Sequence, residues 1–235
     1  MKILAIDSSG LVASVAVVTD EDVIAEYTFN YKKTHSITLM PMVEEIIKKL
    51  ELDLNVIDGI AVSAGPGSFT GLRIGASTGK GLGLALNKPM ICIPSLDALA
   101  FNLFKTDSLI CPIMDARRNQ VYTGIYEFIG DEFITIKSQI AVEINEIADE
   151  INQLNKSVIF LGDGVPVYKD ILRELLKVPF YFAPVHVSKQ RAGAVGALWI
   201  EYMKKGIVVS ADEFEPIYLR ASQAERELEE KKNVK

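Results

Sequence analysis

Apolar and polar positions follow two rhythms along this chain. Residues 2–7, 12–18 and 23–29 are short apolar runs of strand length, separated by Ser8-Ser9-Gly10 and by Thr19-Asp20-Glu21-Asp22. That pattern predicts three strands of an antiparallel meander. The rhythm then changes. Leu39, Val43, Ile46 and Leu50 recur at helical spacing, with Met40 and Ile47 widening the stripe, which predicts an amphipathic helix over 36–50. Pro41 must lie in its first turn or kink it. Residues 56–63 read as a buried strand feeding a glycine turn, and a glycine-rich helix follows over 71–86. A short strand at 90–93 and a helix over about 95–104 close this part.

The order then restarts. Residues 109–115 form an apolar strand ending in aspartate, as residues 3–7 do, and 121–126 pairs with it as a hairpin. A strand around 133–139, a helix near 143–154, a strand and turn over 157–164, and helices over 166–177 and 193–204 complete the second series. Two units that each open with a strand ending in Asp predict an internally duplicated α/β fold with a cleft between its halves. The expected division is 1–105 and 106–220, with the last helix free to pack back on the first half. The charged segment 221–235 is expected to fray.

The glycine-rich helix is the most distinctive stretch. Gly71, Gly75, Gly79 and Gly83 are spaced four apart, so they drift only about 40° per step and line one side. Each costs a helix about 1 kcal/mol relative to alanine, so the helix must be held by what packs against it. A strip without side chains admits another backbone closely, whether from this protein's own sheet or from a second chain. Its polar face is narrow: Arg73, Ser77 and Lys80.

Composition sets the outer limits. The 235 residues are 49% hydrophobic and 24% charged, which suits a soluble globule with a substantial core. No signal peptide opens the sequence and no membrane span is expected. Cys92 and Cys111 sit in apolar runs without metal or redox spacing, reading as core thiols of a reducing cytoplasm. A net charge of −6 argues against a free-standing nucleic-acid binder. Gly75 to Lys80 is one residue short of a P-loop and Gly81 follows the lysine, while the Gly65/Gly67 pair meets its third glycine too late for a dinucleotide fingerprint. Two histidines and no nucleophile elbow disfavour a hydrolase.

The duplicated layout resembles the sugar-kinase, heat-shock-chaperone and actin superfamily (the ASKHA fold). The opening Ile3-Leu-Ala-Ile-Asp-Ser-Ser9, His35-Ser36 with Leu39-Met-Pro41, the Gly65-to-Gly75 run with Phe69 and Arg73, Asp115-Ala-Arg117 with Val121-Tyr122, and Pro216-Ile-Tyr-Leu-Arg220 resemble the bacterial TsaB (YeaZ) family. The resemblance implies a non-catalytic scaffold subunit of the machinery that makes threonylcarbamoyladenosine in transfer RNA. It would pair with the catalytic paralogue TsaD as a heterodimer, work with the ATPase TsaE, form a homodimer alone, and meet tRNA only through the complex. The implied docking surface is the two helices, through His35, Leu39, Met40, Val43, Ile47, Gly71, Arg73, Gly75, Gly79 and Gly83.

The catalytic paralogue carries two histidines four apart after its glycine helix; Ser95 and Leu99 stand at those positions here, so no metal is expected. Active superfamily members follow each strand aspartate with glycines that let backbone amides approach phosphates. Here Asp7 is followed by Ser8-Ser9-Gly10 and Asp115 by Ala116-Arg117-Arg118. The expected cofactor content is therefore none, with weak ATP or ADP contact at the partner interface left open. Such contacts would involve Asp7, Ser8, Ser9, Asp115, Arg117, Gly162 and Gly164. Arg117-Arg118 would sit at the cleft mouth, as an anion contact or a solvated turn. The alternative reading is a small kinase of the same superfamily with Asp7 or Asp115 as base.

Overall fold

The computed structural model describes residues 1–31 and 34–220; the Lys32-Lys33 pair and the tail over 221–235 lie outside the described residues. The meander forms as β1 (Lys2–Asp7), β2 (Ala13–Thr19) and β3 (Val23–Phe29), followed by α1 (His35–Lys49). Then come β4 (Gly59–Gly65), α2 (Phe69–Leu86), β5 (Met90–Pro94) and α3 (Ser95–Phe101). The second half repeats the series: β6 (Leu109–Arg117), β7 (Gln120–Ile129), β8 (Glu132–Glu143), α4 (Ile144–Leu154), β9 (Val158–Leu161), α5 (Val165–Leu175), β10 (Phe180–Phe182) and α6 (Ala192–Lys204). One sheet is ordered β3-β2-β1-β4-β5 and the other β8-β7-β6-β9-β10, so the duplication expected from the sequence extends to strand order. In each, the first strand is central, antiparallel to its hairpin partner and parallel to the strand after the crossover.

β1 is apolar along nearly its whole length because both faces of its sheet are covered. Leu4 and Ile6 face α1 and α2, joining Leu39, Val43, Ile46 and Ala76 in one cluster. Ile3 and Ala5 face the other way, onto Val195, Leu198 and Trp199 of α6. The second sheet alternates likewise: Leu109, Cys111 and Ile113 pack on Ile147, Ile151 and Leu172 of α4 and α5, while Ile110 and Met114 pack on Leu96 and Leu99 of α3. Each half thus lends its last helix to the other's sheet, and α3 and α6 meet in the middle. Asp97 of α3 fastens that seam by accepting hydrogen bonds from Tyr126 Oη (2.8 Å) and Tyr202 Oη (2.5 Å). Burial raises the Asp97 carboxyl above its ordinary range, and the two tyrosine donors partly oppose this.

Several local details depart from the sequence reading. The fourth strand starts at Gly59, because Asp53 accepts a hydrogen bond from the Asn55 amide and winds Leu54–Val56 into a 3-10 turn. Pro41 lies in the second turn of α1, on its exposed side, where the lost amide costs a hydrogen bond in water. α2 begins at Phe69, with the Ser68 hydroxyl accepting from the Gly71 amide, and ends at Asn87 in the left-handed region, φ 52°. Cys92 and Cys111 are free thiols; burial pushes Cys111 up to about 12, so it stays protonated in the core.

Candidate functional site

The cleft expected between the halves is a cavity of about 680 Å³. Its first-half wall comprises the turn after β1 and the start of α2, with His35 nearby; its second-half wall comprises Met114, Asp115, Arg117, Tyr122 and Asp163.

The glycines decide what the first wall can do. A side chain at Gly67 would run into the Ser9 carbonyl, one at Gly71 into the Ser8 carbonyl, and one at Gly75 into the Ser8 hydroxyl. Gly79 and Gly83 continue the strip along Val62, Met90 and Ala211, where an added carbon would come within 2.6 Å of Val62 Cγ2 and 3.1 Å of Ala211 Cβ. α2 therefore lies directly on the β1–β2 turn and its own sheet. Ser8 Oγ donates to the Gly71 carbonyl at 2.9 Å, and the Ser68 amide donates to the Ser9 carbonyl at 2.7 Å.

Two sets of expected site residues are corrected by this packing. Gly71, Gly75, Gly79 and Gly83 spend their missing side chains inside the chain, and Leu39 and Val43 are 1% exposed core residues, so none of the six can meet a partner. Of the expected docking residues on the two helices Met40 and Arg73 stay outward, Ile47 is half-buried at the margin, and Ile37, Gly81 and Leu84 are exposed as well. Likewise Asp7 and Ser8 are 1% exposed and do not line the cavity, whereas Ser9, of the same turn, does reach its wall. Asp7 Oδ1 accepts from the amide and hydroxyl of Ser9, at 2.9 and 2.7 Å, while Oδ2 has no partner. Burial lifts this carboxyl to about 6 against the lowering pull of Ser9, Ser63 and His35. His35 is half-buried at the cleft edge, its Nε2 donating to the Gly10 carbonyl at 2.9 Å.

The second wall is more open. Asp115 is exposed; its Oδ1 accepts from the Arg117 amide (2.9 Å) and from Tyr168 Oη (3.1 Å). Asp163 Oδ1 accepts from the Asp115 amide at 3.3 Å, and burial raises its carboxyl. Arg117, Arg118 and Asn119 all take positive φ, at 63°, 55° and 59°, which holds Arg117 at the cleft mouth as the sequence suggested. Gly162 and Gly164 do not face the cavity as a nucleotide turn would. Gly162 is pressed on the Ile113 carbonyl, and the Gly164 amide donates to that same oxygen at 3.0 Å.

Two further groups escaped the sequence reading. Asp163 and the segment Ile217–Arg220 line the cleft; the Gly162-Asp-Gly164 turn and the Pro216-Ile-Tyr-Leu-Arg220 motif were visible, but neither spacing says where they point. Ser95, at the first of the paralogue's histidine positions, is fully buried: its hydroxyl bonds Ser63 Oγ at 2.8 Å and accepts from the Gly65 amide at 3.0 Å. Leu99 is in the core under β6. Among the described residues, no cluster of three or more His, Cys, Asp or Glu is arranged to hold a metal, and no helix is long and apolar enough to cross a membrane.

This geometry can be set beside known proteins. The family model of TsaD, tRNA N6-adenosine threonylcarbamoyltransferase, matches residues 22–228. The tRNA threonylcarbamoyladenosine biosynthesis protein TsaB of Bacillus subtilis is 32% identical over 225 residues, covering 96% of each chain. The protein of the same name from Haemophilus influenzae is 32% identical over 231 residues, 94% of each. A crystal structure from Pseudomonas aeruginosa, described as similar to peptidase YEAZ, superposes with a TM-score of 0.80 at 25% identity, covering 93% of this chain and 99% of that one. A ROK hexokinase from Thermus thermophilus shares the fold alone, with a TM-score of 0.50 at 10% identity over 87% of this chain and 100% of the other. On these matches the chain belongs to the TsaB (YeaZ) family.

Proposed function

We propose that this protein is a non-catalytic subunit of the tRNA threonylcarbamoyladenosine machinery, pairing with a TsaD-type catalytic partner and working with the ATPase TsaE. The observation that carries the non-catalytic reading is the seat of α2 on the Ser8–Ser9 turn. A phosphate-binding turn must offer free amides, and here the Ser9 amide is spent on Asp7 while Ser8 lies buried under a glycine helix. The names of the relatives support the pathway.

The outer face of α1 and α2 suits the docking role. Ile37, Met40 and Leu84 expose 68%, 48% and 57% of their surface there, beside Arg73. Gly81 has nothing within 4 Å, so its missing side chain serves no contact inside the chain. A partner helix crossing at Gly81 would use the space. The same face would support a homodimer when the partner is absent. Co-purification with the TsaD of the same organism, followed by a modification assay with and without this chain, tests the proposal. Stimulated modification and no ATP turnover by the isolated chain are expected; turnover above contaminant level, or unaffected modification, overturns it. Gly81→Leu should leave the monomer folded and abolish co-purification, and a variant that still binds normally removes this face from the interface.

A further inference from the structure

The chain from Gly206 to Arg220 belongs to no helix or sheet of the duplicated pattern, yet it touches both halves. Gly206 turns the chain at φ 73° after α6. Val209 then pairs antiparallel with Met90, amide to carbonyl in both directions at 2.9 and 3.0 Å, covering the open edge of the first sheet. Ala211 and Phe214 are buried in the first-half core, 6% and 1% exposed. The Ile217 amide donates to the Ala64 carbonyl at 2.7 Å, at the end of β4, and Gly65 has no side chain because the Ile217 carbonyl occupies its place. Tyr218 stacks on Phe69 with centroids 4.7 Å apart and accepts from Arg73 Nε at 3.3 Å, while the Arg73 guanidinium lies 4.1 Å over Phe69. Three residues after Ile217, Arg220 donates to the Ala116 carbonyl on β6 at 2.8 Å, in the other half.

We propose that residues 209–220 are a strap that fixes the closure of the cleft, so that the two halves keep one relative angle with no ligand between them. Ile217 holds the first wall and Arg220 the second, with only two residues between, so the walls cannot part without breaking one attachment. Tyr218 and Leu219 meanwhile line the cavity itself. Two-lobed proteins of hinge type close around a ligand; here the chain's own segment takes the ligand's place. The device explains an otherwise odd arrangement, in which α6 sits on the first sheet yet the chain it emits returns to the second half. This inference does not rest on the proposed role in tRNA modification.

The test uses spin labels in the full chain at Glu44→Cys on α1 and Lys169→Cys on α5, both exposed, in a Cys92→Ala background. With the strap intact, one narrow distance distribution is expected, unchanged by saturating ATP with magnesium. Tyr218→Ala combined with Arg220→Ala should broaden it and move it several-fold beyond its original width, and Arg220→Lys, which can still donate to the Ala116 carbonyl, should restore much of it. An unchanged distribution in the double variant, or a shift of the unsubstituted protein on adding ATP with magnesium, overturns the proposal. Should the double variant fail to fold, hydrogen exchange on the unsubstituted protein decides. The Ile217 amide should exchange about a hundredfold more slowly than exposed turns, and exchange as fast as those turns sinks the idea.

Discussion

Gly71→Ala and Gly81→Ala place the same methyl group on the same helix and differ in what the methyl meets. At Gly71 it would meet the Ser8 carbonyl, with His35 Cδ2 and Ser68 Cβ both at 3.3 Å; at Gly81 it meets open space. Alanine favours a helix interior over glycine by about 1 kcal/mol at either site. Overpacking typically costs about 1–3 kcal/mol, and the upper end applies where the obstacle is backbone. The Ser8–Ser9 turn cannot retreat cheaply, since the Ser9 carbonyl accepts from Ser68 and the Ser9 amide donates to Asp7. Gly81→Ala should therefore gain about 1 kcal/mol, and Gly71→Ala should lose about 2 kcal/mol net.

The gap of about 3 kcal/mol corresponds to roughly 6–12 °C in melting temperature at this chain length. Urea titrations with unchanged m values would place it in the folded-state packing. Because both variants share the propensity term, their difference isolates the contact between α2 and the turn. If Gly71→Ala proves as stable as Gly81→Ala, α2 does not rest on that turn, and the argument against a phosphate site there fails with it.

Asp7 supplies a pH signature. Its carboxyl moves from 3.8 unfolded to about 6 folded, so the folded state binds the extra proton and stability falls as pH rises through that window. Asp7→Asn removes the titration, and the variant should gain about 3 kcal/mol relative to the parent between pH 4 and pH 7; parallel stability curves would refute the burial. Tyr202→Phe deprives buried Asp97 of a donor and should cost about 1–3 kcal/mol by denaturant titration, whereas a neutral change would mean the seam does not depend on that bond. For the isolated chain, anisotropy titration with tRNA at physiological salt should show negligible binding, since net charge is −6 and the described cation pairs Lys48-Lys49, Arg117-Arg118 and Lys204-Lys205 form no stripe; submicromolar, salt-sensitive affinity would mean the subunit holds substrate directly.

The sequence revealed most strands and helices of both halves because each sheet is covered on both faces, but not β10, which at three residues is too short to carry a pattern. That arrangement writes near-continuous apolar runs such as Ile3–Ile6 and periodic stripes such as Leu39, Val43 and Ile46. It was silent where identity of the partner matters more than spacing. The strip from Gly71 to Gly83 announces a close approach on one side of α2, but no periodicity says whether the approaching backbone is a sheet, a turn or another chain. An apolar face on α3 does not name its sheet, so its packing against β6 of the other half was unreadable. The strap was missed for a different reason: a segment anchored by single bonds from Val209, Ile217 and Arg220 has no repeat to detect.

The duplication also sets two equivalent turns in different surroundings. α2 and α5 occupy equivalent crossovers, β4 to β5 and β9 to β10. α2 carries glycines wherever it meets the turn after β1, so its backbone descends until Ser8 is sealed beneath it. α5 has no glycine from Val165 to Leu175, and at its first turn Tyr168 stands between helix and strand, donating to Asp115 and to the Gln120 carbonyl. A phenol there holds the backbone off, which is why Asp115 stays exposed while Asp7 is buried. The difference between the halves therefore comes from side-chain volume on one helix face, acting through how closely a backbone can approach. Opening the turn in the first half would require side chains on α2 that push it outward, at the expense of the packing that now holds the glycine helix together.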